Sequence, residues 1–182
     1  MNDSDQTPLL SHLSSTPLMV IVMGVSGCGK TTVAQSLASQ LGIQSLDADD
    51  FHSETNKAHM ASGLPLTDDM RLPWVKTLRA HLEALSRTHK SCTLAFSGLR
   101  KEHRDLLRIS EANVRFLHLH GSKELILARM KTREDHFMPT SLLDSQFAAL
   151  EAPNEHDIIP LDIDQPLNQL VENALIQLKQ SL

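Results

Sequence analysis

The sequence is poor in aromatic residues: its 182 residues include no tyrosine, one tryptophan and five phenylalanines. A hydrophobic core must therefore be built mainly from aliphatic side chains and methionine. The two cysteines, Cys28 and Cys92, are too few for a disulfide framework. Such a low cysteine content is typical of a reducing compartment and predicts a cytoplasmic protein.

Long hydrophobic runs and an excess of positive charge are also missing. No apolar run approaches the roughly 20 residues of a membrane helix, and the polar first residues do not resemble a secretory signal peptide. Proteins that bind nucleic acid carry a basic surface, whereas the net charge of this chain is -5. We therefore expect neither a membrane nor a nucleic acid as a partner. The length fits a single domain at 18–182, preceded by a flexible arm at 1–17.

Hydrophobic segments alternate between buried strands and amphipathic helices. LMVIVM at 18–23 predicts a strand buried on both faces, and four further apolar runs predict strands after it. With helices between them, these strands predict an α/β three-layer sandwich around a five-stranded parallel sheet. Polar segments at 49–72 and 134–141 interrupt the pattern. Segments of this kind at the carboxyl ends of strands often carry the chemistry of such folds.

Local signals predict several element boundaries. A helix is predicted at 30–41, and a second helix, with Trp74 in its buried stripe, should open at Pro73. Ser122 should cap the helix that follows it. Pro160 lacks an N–H group, so it either weakens the prediction of the fifth strand or marks an edge of the sheet.

The segment GVSGCGKTT at 24–32 fits the phosphate-binding pattern G-x-x-x-x-G-K-[ST] at every fixed position, between a predicted strand and a predicted helix. Its glycines let successive N–H groups point at one anion, and the helix N-terminus adds a positive dipole end. Lys30 is then expected to bridge the β- and γ-phosphates of ATP, and the Thr31 hydroxyl to bind Mg²⁺. Cys28, at a free position of the pattern, is interpreted as a small filler. The residues predicted to hold the nucleotide are Gly24, Ser26, Gly27, Cys28, Gly29, Lys30, Thr31 and Thr32.

A phosphate-binding loop alone leaves kinases, ATPases, GTPase switches and plain nucleotide binders open. No glycine of the sequence has an aspartate three residues before it, which disfavours a GTPase. The third predicted strand ends in LAFSG, without the acid that a large motor ATPase uses for Mg²⁺. Acids follow the second strand instead, at Asp47, Asp49 and Asp50. This pattern suits a small-molecule kinase in which one carboxylate faces Mg²⁺ and another accepts the proton of the attacking hydroxyl; an acidic helix N-cap is the alternative.

Several long segments resemble the gluconokinase family of small phosphate-loop kinases. They are LDADDFH followed by Asn56, MASGLPLTDD followed by RLPW, SGLRKEHRD, REDHFMPTSLLDSQFAALEAP and DIDQPL. The resemblance runs from about Leu18 to the end of the chain. It implies a nucleoside-monophosphate-kinase-like fold, usually a homodimer. The reaction it implies is transfer of the γ-phosphoryl group of ATP to the 6-hydroxyl of D-gluconate, giving 6-phospho-D-gluconate for carbohydrate-acid catabolism and the pentose phosphate pathway.

The resemblance also gives roles to the acidic run. Asp47 would organise Mg²⁺ together with Thr31, and Asp49 would be the base that faces the substrate hydroxyl. Spacing alone does not decide between Asp49 and Asp50 for that base.

Two residues of the 49–72 segment, His52 and Asn56, are predicted to bind the acceptor. They are four apart, so on one helical face they would present a donor and an amide to a polyol, with an exposed polar surface as the alternative.

Three cations are predicted to bind the acceptor as well. The planar fork of Arg71 suits the carboxylate of gluconate, and a surface ion pair with Asp68 or Asp69 is the alternative. Arg100 and Lys101, just after the third strand, would face the same cleft, with a solvated helix start as the alternative.

The segment at 134–141 is predicted to be a lid. Arg133 at its edge would contact the phosphates and neutralise charge in the transition state, while the closed lid excludes water. Arg129, within the preceding helix, would stack against adenine. Both arginines can alternatively be ordinary solvent-facing residues.

This chain departs from the usual family pattern at three positions. Met70 stands where an aspartate is usual, His59 where lysine is frequent, and Asp135 where glycine is frequent. None of them touches the nucleotide loop, so they concern the acceptor and the lid.

Two other functions stay open. A kinase for another hydroxy acid, such as shikimate, would share the loop, but shikimate kinases carry a glycine triplet that is missing here. A non-catalytic ATP-binding regulator would not need both Asp47 and Asp49. His118 and His120 share one strand face at a spacing that metals use, but without a third ligand they are interpreted as structural.

Overall fold

The computed structural model describes residues 15–131 and 140–182. Its five parallel strands form one sheet in the order β2-β3-β1-β4-β5. They are β1 (Leu18–Met23), β2 (Gln44–Asp47), β3 (Cys92–Ala95), β4 (Asn113–His120) and β5 (Ile158–Asp162). Apolar cores lie on both faces of the sheet, so the predicted α/β sandwich is confirmed.

Strand β1 lies at the centre of the sheet because all six of its side chains are apolar and buried. It pairs with β3 on one side and with β4 on the other. Successive side chains face opposite layers: Val20 and Val22 belong to one core, whereas Ile21 and Met23 belong to the other. A continuous apolar run is the pattern expected of a strand buried on both faces.

Seven α-helices and one 3-10 turn connect the strands in the described part of the chain. They are α1 (Lys30–Leu41), the 3-10 turn (Ala48–Phe51), α2 (Glu54–Ala61), α3 (Asp68–Arg87), α4 (Lys101–Leu107), α5 (Lys123–Lys131), α6 (Thr140–Ala149) and α7 (Leu167–Ser181). Helix α1 has the predicted bounds. Ser122 caps α5 as predicted, since its hydroxyl accepts a hydrogen bond from the Leu125 N–H over 3.1 Å. None of the helices described is long and apolar enough to cross a membrane.

Helix α3 begins at Asp68, so the predicted start at Pro73 is wrong. The Thr67 hydroxyl accepts a hydrogen bond from the Met70 N–H over 3.2 Å and caps the helix there. Asp68 and Asp69 then lie in the first turn, where the helix dipole favours negative charge. Pro73 is exposed in the second turn, which lets water satisfy the carbonyl that loses its N–H partner.

The carboxyl ends of the parallel strands meet at one edge of the sheet, where open α/β folds bind ligands. Strand β1 leads there into the phosphate-binding loop, and β2 leads into the 3-10 turn. The polar segment at 49–72 folds into the rest of that turn, α2 and the start of α3. At the side of the sheet, Pro160 lies in β5, which pairs only with β4 and is an edge strand as predicted.

Two predicted segments lie mostly beyond the described residues. The arm predicted at 1–17 is described only from residue 15, and the lid predicted at 134–141 only at 140 and 141.

Candidate active site

The phosphate-binding loop is fixed at both ends by its glycines. The Gly24 N–H donates to the Ser97 carbonyl over 3.1 Å, which holds the start of the loop against the segment after β3. Gly24 has φ 145°, and a Cβ atom there would lie 2.6 Å from the Leu119 carbonyl oxygen, so only glycine fits. Gly29, with φ 98°, is the N-cap of α1, and no described side chain caps this helix. The first N–H groups of α1 are therefore available to an anion.

Lys30 begins α1 and folds back across the loop. Its ammonium group donates to the Val25 carbonyl over 3.1 Å. Thr31 and Thr32 follow it and are both exposed. The lysine charge, the loop and the start of the helix thus lie together, as the sequence pattern predicts.

Cys28 and Gly27 lie on the packed side of the loop. The Cys28 side chain is buried, and burial raises the pKa of its thiol more than Lys30 lowers it. A thiol in this state packs as a small apolar group. Gly27 lies against α5, where an added Cβ would be 2.6 Å from Cγ of Met130. The loop and α5 are therefore in close contact.

Asp47, at the end of β2, joins the loop to the acidic run. Its Oδ2 accepts a hydrogen bond from the Thr31 hydroxyl over 2.8 Å. Its Oδ1 accepts a hydrogen bond from the Asp49 N–H over 3.0 Å and thereby caps the 3-10 turn. The two residues predicted to bind Mg²⁺ therefore lie side by side. The predicted base, Asp49, is hydrogen-bonded to the same carboxylate through its backbone N–H.

Asp49 projects from the 3-10 turn with 85% of its side chain exposed. Its pKa is nevertheless raised, first because the cleft removes part of its hydration and then because the Asp47 carboxylate is close; His52 and Lys30 act in the opposite direction. A carboxylate with a raised pKa is a better proton acceptor. Asp50 is exposed too and adds negative charge.

His52 is packed against the protein, although it was predicted to contact the acceptor. Its ring stacks on Trp74 with the centroids 4.1 Å apart, and its Nε2 lies 3.7 Å from Oδ1 of Asp49. Burial lowers the pKa of His52, which keeps the ring neutral near pH 7. Trp74 is buried, as predicted, and donates from Nε1 to the Ala48 carbonyl over 2.8 Å. This bond holds α3 against the 3-10 turn.

Asn56 is buried in α2 and faces α3. Its side-chain amide donates to the Met70 carbonyl over 3.2 Å. Met70 makes this contact through its backbone, so the bond does not depend on the side chain at that position.

Asp68 links the two arginines that were predicted to bind the acceptor. Arg71 Nη1 lies 3.4 Å from Oδ1 of Asp68, and Arg100 Nη2 lies 3.6 Å from its Oδ2. Arg100 Nη1 is also 3.7 Å from Oε1 of Glu151. The ion pair that was the alternative for Arg71 is therefore present, and it belongs to one cluster with Arg100.

Two other predicted cations have different surroundings. The Lys101 ammonium pairs with Asp105 over 2.7 Å on the surface of α4. Arg129 of α5 donates to the Ile163 carbonyl and lies close enough to Cys28 to lower its pKa, so it stands beside the loop. Arg133 is not among the described residues.

Sequence reasoning missed Gln146, which holds the phosphate-binding loop from α6. Its Oε1 accepts a hydrogen bond from the Ser26 N–H over 2.6 Å, and its Nε2 donates to the Ser26 hydroxyl over 2.9 Å. The two residues are 120 positions apart, so no local pattern predicts the contact.

Arg104 of α4 was also missed. It is fully buried and donates from Nε to Glu155 over 2.9 Å and from Nη1 to the Gly98 carbonyl over 2.8 Å. Arg108, one turn later, pairs with Asp157 over 2.7 Å. These bonds tie the loop after β3 to the segment between α6 and β5.

His118 and His120 lie on β4 with their ring centroids 5.7 Å apart. Burial, with a smaller effect of His120, lowers the pKa of His118 to about 4. Across residues 15–131 and 140–182, no group of three or more His, Cys, Asp or Glu side chains is arranged to hold a metal ion.

The site combines a positively charged anion cradle with carboxylates beside it, the parts that phosphoryl transfer requires. Residues 19–153 match the family described as AAA domain. Together with the loop and the parallel sheet, this match makes the chain a P-loop kinase, a class of ATP-using proteins.

Three known proteins are similar over nearly the whole chain. The thermoresistant gluconokinase of Escherichia coli (strain K12) is 42% identical over 161 residues, which cover 87% of this chain and 92% of that protein. The crystal structure of a gluconokinase from Sinorhizobium meliloti has a TM-score of 0.81 at 36% identity, covering 91% of this chain and 95% of that chain. The unliganded crystal structure of a sugar kinase from a Janibacter species has a TM-score of 0.81 at 47% identity, covering 89% of this chain and 94% of that chain. The chain belongs to the gluconokinase family, as its sequence segments predict.

Proposed function

We propose that this protein transfers the γ-phosphoryl group of ATP to the 6-hydroxyl of D-gluconate, giving 6-phospho-D-gluconate and ADP. The membership of the gluconokinase family supports this acceptor. The observation that carries the mechanism is the double use of Asp47, whose two oxygens bond Thr31 of the loop and the N–H of Asp49. These two bonds support the proposal because one carboxylate contacts both a residue of the phosphate-binding loop and the residue proposed as the proton acceptor.

Thr31 and Asp47 are the residues proposed to hold Mg²⁺. Magnesium prefers oxygen ligands and is usually held by one or two protein groups, with phosphate oxygens and water completing its shell. In the bond to Asp47 the Thr31 hydroxyl is the donor, so its oxygen lone pairs remain for a cation. The donor chemistry therefore fits. The ion would supply charge neutralisation on the β- and γ-phosphates.

The loop and its neighbours bind the nucleotide in this proposal. The N–H groups at the start of α1 and the Lys30 ammonium bind the β- and γ-phosphates, and the lysine exchanges its bond to Val25 for a phosphate oxygen. Arg129 stands beside the loop as a contact for the adenine. Arg133 is proposed to stabilise the charge of the transferred group.

Asp49 is proposed as the base that accepts the proton of the acceptor hydroxyl. Its exposure leaves it open to an acceptor, and its raised pKa favours proton uptake. His52 and Asn56 shape the wall next to it.

Arg71 and Arg100, joined through Asp68, provide positive charge for a carboxylate. Lys101 contributes positive charge at the start of α4, where its ammonium group pairs with Asp105.

The homodimer and the cytoplasmic location remain part of the proposal. The resemblance to the family supports the former, and the low cysteine content supports the latter. A shikimate-type acceptor and a non-catalytic ATP sensor are less well supported than gluconate, because the related proteins named above carry neither function in their names.

A coupled assay with Mg·ATP tests the function directly. ADP release is compared with D-gluconate, with shikimate and without an acceptor, and the product is offered to 6-phosphogluconate dehydrogenase. We expect release that depends on gluconate and a product that the dehydrogenase oxidises. ATP binding without gluconate-dependent release would rule out the proposal in favour of another acceptor or a sensor.

A further inference from the structure

Three buried side-chain atoms lack a hydrogen-bond partner in the described part of the chain, and all three are nitrogens. They are Nδ1 of His52, Nε of Arg100 and Nε2 of His103. A buried polar atom without a partner lowers the stability of the folded state, so native proteins contain few of them. Three such atoms in one region call for an explanation.

The residues that carry these atoms lie around one cluster of charged groups. The charge of Arg71 acts on both His52 and His103. Arg71 and Arg100 meet on opposite oxygens of the Asp68 carboxylate. The cluster thus runs from His52, beside the proposed base, through Arg71 to Arg100 and His103 at the start of α4.

Arg100 and His103 form the end of the cluster opposite to His52 and Asp49. The two terminal nitrogens of Arg100 already face Glu151 and Asp68, so the unpartnered atom is its Nε–H, which can only donate. The carboxylate nearest to His103 Nε2 belongs to Glu102, at 3.6 Å. That distance is too long for a hydrogen bond.

His103 is 4% exposed, whereas the side chain of Glu102 is 70% exposed. Water can therefore hydrate Glu102 but not the His103 ring nitrogen. The ring is neutral near pH 7 because burial lowers its pKa. In the Nε2–H tautomer it adds a second donor in the first turn of α4, three residues after Arg100, which is the N-cap of that helix.

We propose that His103 and Arg100 bind the carboxylate end of the acceptor, a polyhydroxy carboxylic acid, and that His103 is a specificity-determining residue. Two donors match the two oxygens of a carboxylate, and the charges of Arg71 and Arg100 favour its negative charge. The reactive hydroxyl at the other end of the acceptor then faces Asp49. This assignment rests on the proposed function and extends its acceptor site to α4.

Steady-state kinetics of His103→Phe and His103→Gln test the assignment. We expect the KM for D-gluconate to rise about tenfold in His103→Phe, the loss of one hydrogen bond to a charged group. His103→Gln, whose amide can donate from a similar position, should recover most of the affinity. The KM for ATP and kcat should change less than about twofold. His156→Phe makes the same change at an exposed position outside the cluster and should leave every constant unaltered.

Competition by D-glucitol, which has the hydroxyls but no carboxylate, distinguishes a carboxylate contact from a general change of shape. We expect its inhibition constant to stay within about twofold in His103→Phe. An equal loss for glucitol and gluconate would overturn the carboxylate assignment, as would an unchanged gluconate KM in a variant with wild-type thermal stability. Arg100→Gln should raise the KM for gluconate by a similar factor. It provides the test of the carboxylate contact if His103→Phe does not fold.

The wild-type reaction separates this inference from the function on which it rests. Wild-type turnover of gluconate with an unchanged KM in the variants would overturn the inference alone. Failure of the wild type to phosphorylate any sugar acid would overturn both.

Discussion

Gln146 of α6 holds Ser26 of the phosphate-binding loop through two hydrogen bonds, one accepted from the backbone at 2.6 Å and one donated to the hydroxyl at 2.9 Å. Just beyond the C-terminal end of α6, the Glu151 N–H donates to the Leu99 carbonyl over 2.8 Å, and the Glu151 carboxylate accepts a hydrogen bond from the Lys101 N–H. Helix α6 is therefore fastened to the phosphate-binding loop, and the residue just after its end is fastened to the start of α4.

Replacing Gln146 by alanine should raise the KM for ATP about tenfold, because the loop loses two partners and becomes less ordered. Gln146→Glu should be worse, since a carboxylate adds negative charge next to bound phosphates. Steady-state kinetics at saturating gluconate measure both effects. The control is Gln40→Ala on the exposed side of α1; equal ATP constants for Gln146→Ala and the wild type would show that the loop does not need this contact.

Asp49→Asn should lower kcat by about 10²–10⁴, the usual contribution of a positioned proton acceptor. The matched variant is Asp50→Asn, which removes the neighbouring negative charge and should retain most of the activity. Rapid-quench measurement of the chemical step with both variants decides between the two carboxylates. Loss of the step in Asp50→Asn together with its survival in Asp49→Asn would reverse the assignment.

Arg104→Met should lower the free energy of unfolding by about 3–5 kcal/mol, because the buried Gly98 carbonyl loses its donor and Glu155 keeps only Arg108, at 3.5 Å, as a charge partner. Denaturant unfolding followed by circular dichroism measures the change. Arg87→Met makes the same substitution at a mostly exposed arginine, 3.8 Å from Glu83, and Glu83 keeps its closer partner Arg79; it should cost no more than about 1 kcal/mol. Similar losses for the two variants would contradict the structural role of Arg104.

His118 should make the protein sensitive to acid. Its pKa is about 4 in the folded chain against an ordinary 6.5, so the unfolded chain takes up the proton first as the pH falls. Its stabilising effect is complete above about pH 6.5 and declines by about 3 kcal/mol towards pH 4. His118→Gln should flatten the pH dependence of the free energy of unfolding in this range, whereas exposed His156→Gln should not. Parallel curves for wild type and His118→Gln would contradict the prediction.

The sheet and the phosphate-binding loop were predictable because their signals are local. Six apolar residues in a row can only be buried on both faces, and the spacing from Gly24 to Thr31 encodes a loop between a strand and a helix. The bounds of α1 follow from Gly29 and Gly42, which adopt the left-handed conformation at its two ends.

The start of α3 was mispredicted because two helix-start signals compete within six residues. Proline is favoured at the first position of a helix, but the Thr67 cap lies earlier and fixes the start at Asp68. Since Pro73 is exposed, the helix can run through it.

The contacts of Gln146, Arg104 and His103 could not be predicted from sequence spacing. Gln146 and Ser26 are 120 residues apart, and Arg104 and Glu155 are 51 apart. The role proposed for His103 rests on the buried Nε2 atom that lacks a hydrogen-bond partner, which the sequence does not reveal. Such relations depend on how the loops meet at the edge of the sheet.

The two bonds of the Asp47 carboxylate have a consequence for genetics. Thr31 and Asp49 do not need to touch each other to be coupled, because each depends on the same carboxylate group. Substitutions at Thr31 and Asp49 should therefore show epistasis, with a combined loss that departs from the sum of the single losses. Any substitution of Asp47 alters both bonds, so selection on its proposed role toward the metal and selection on its contact with the proposed base act on a single codon.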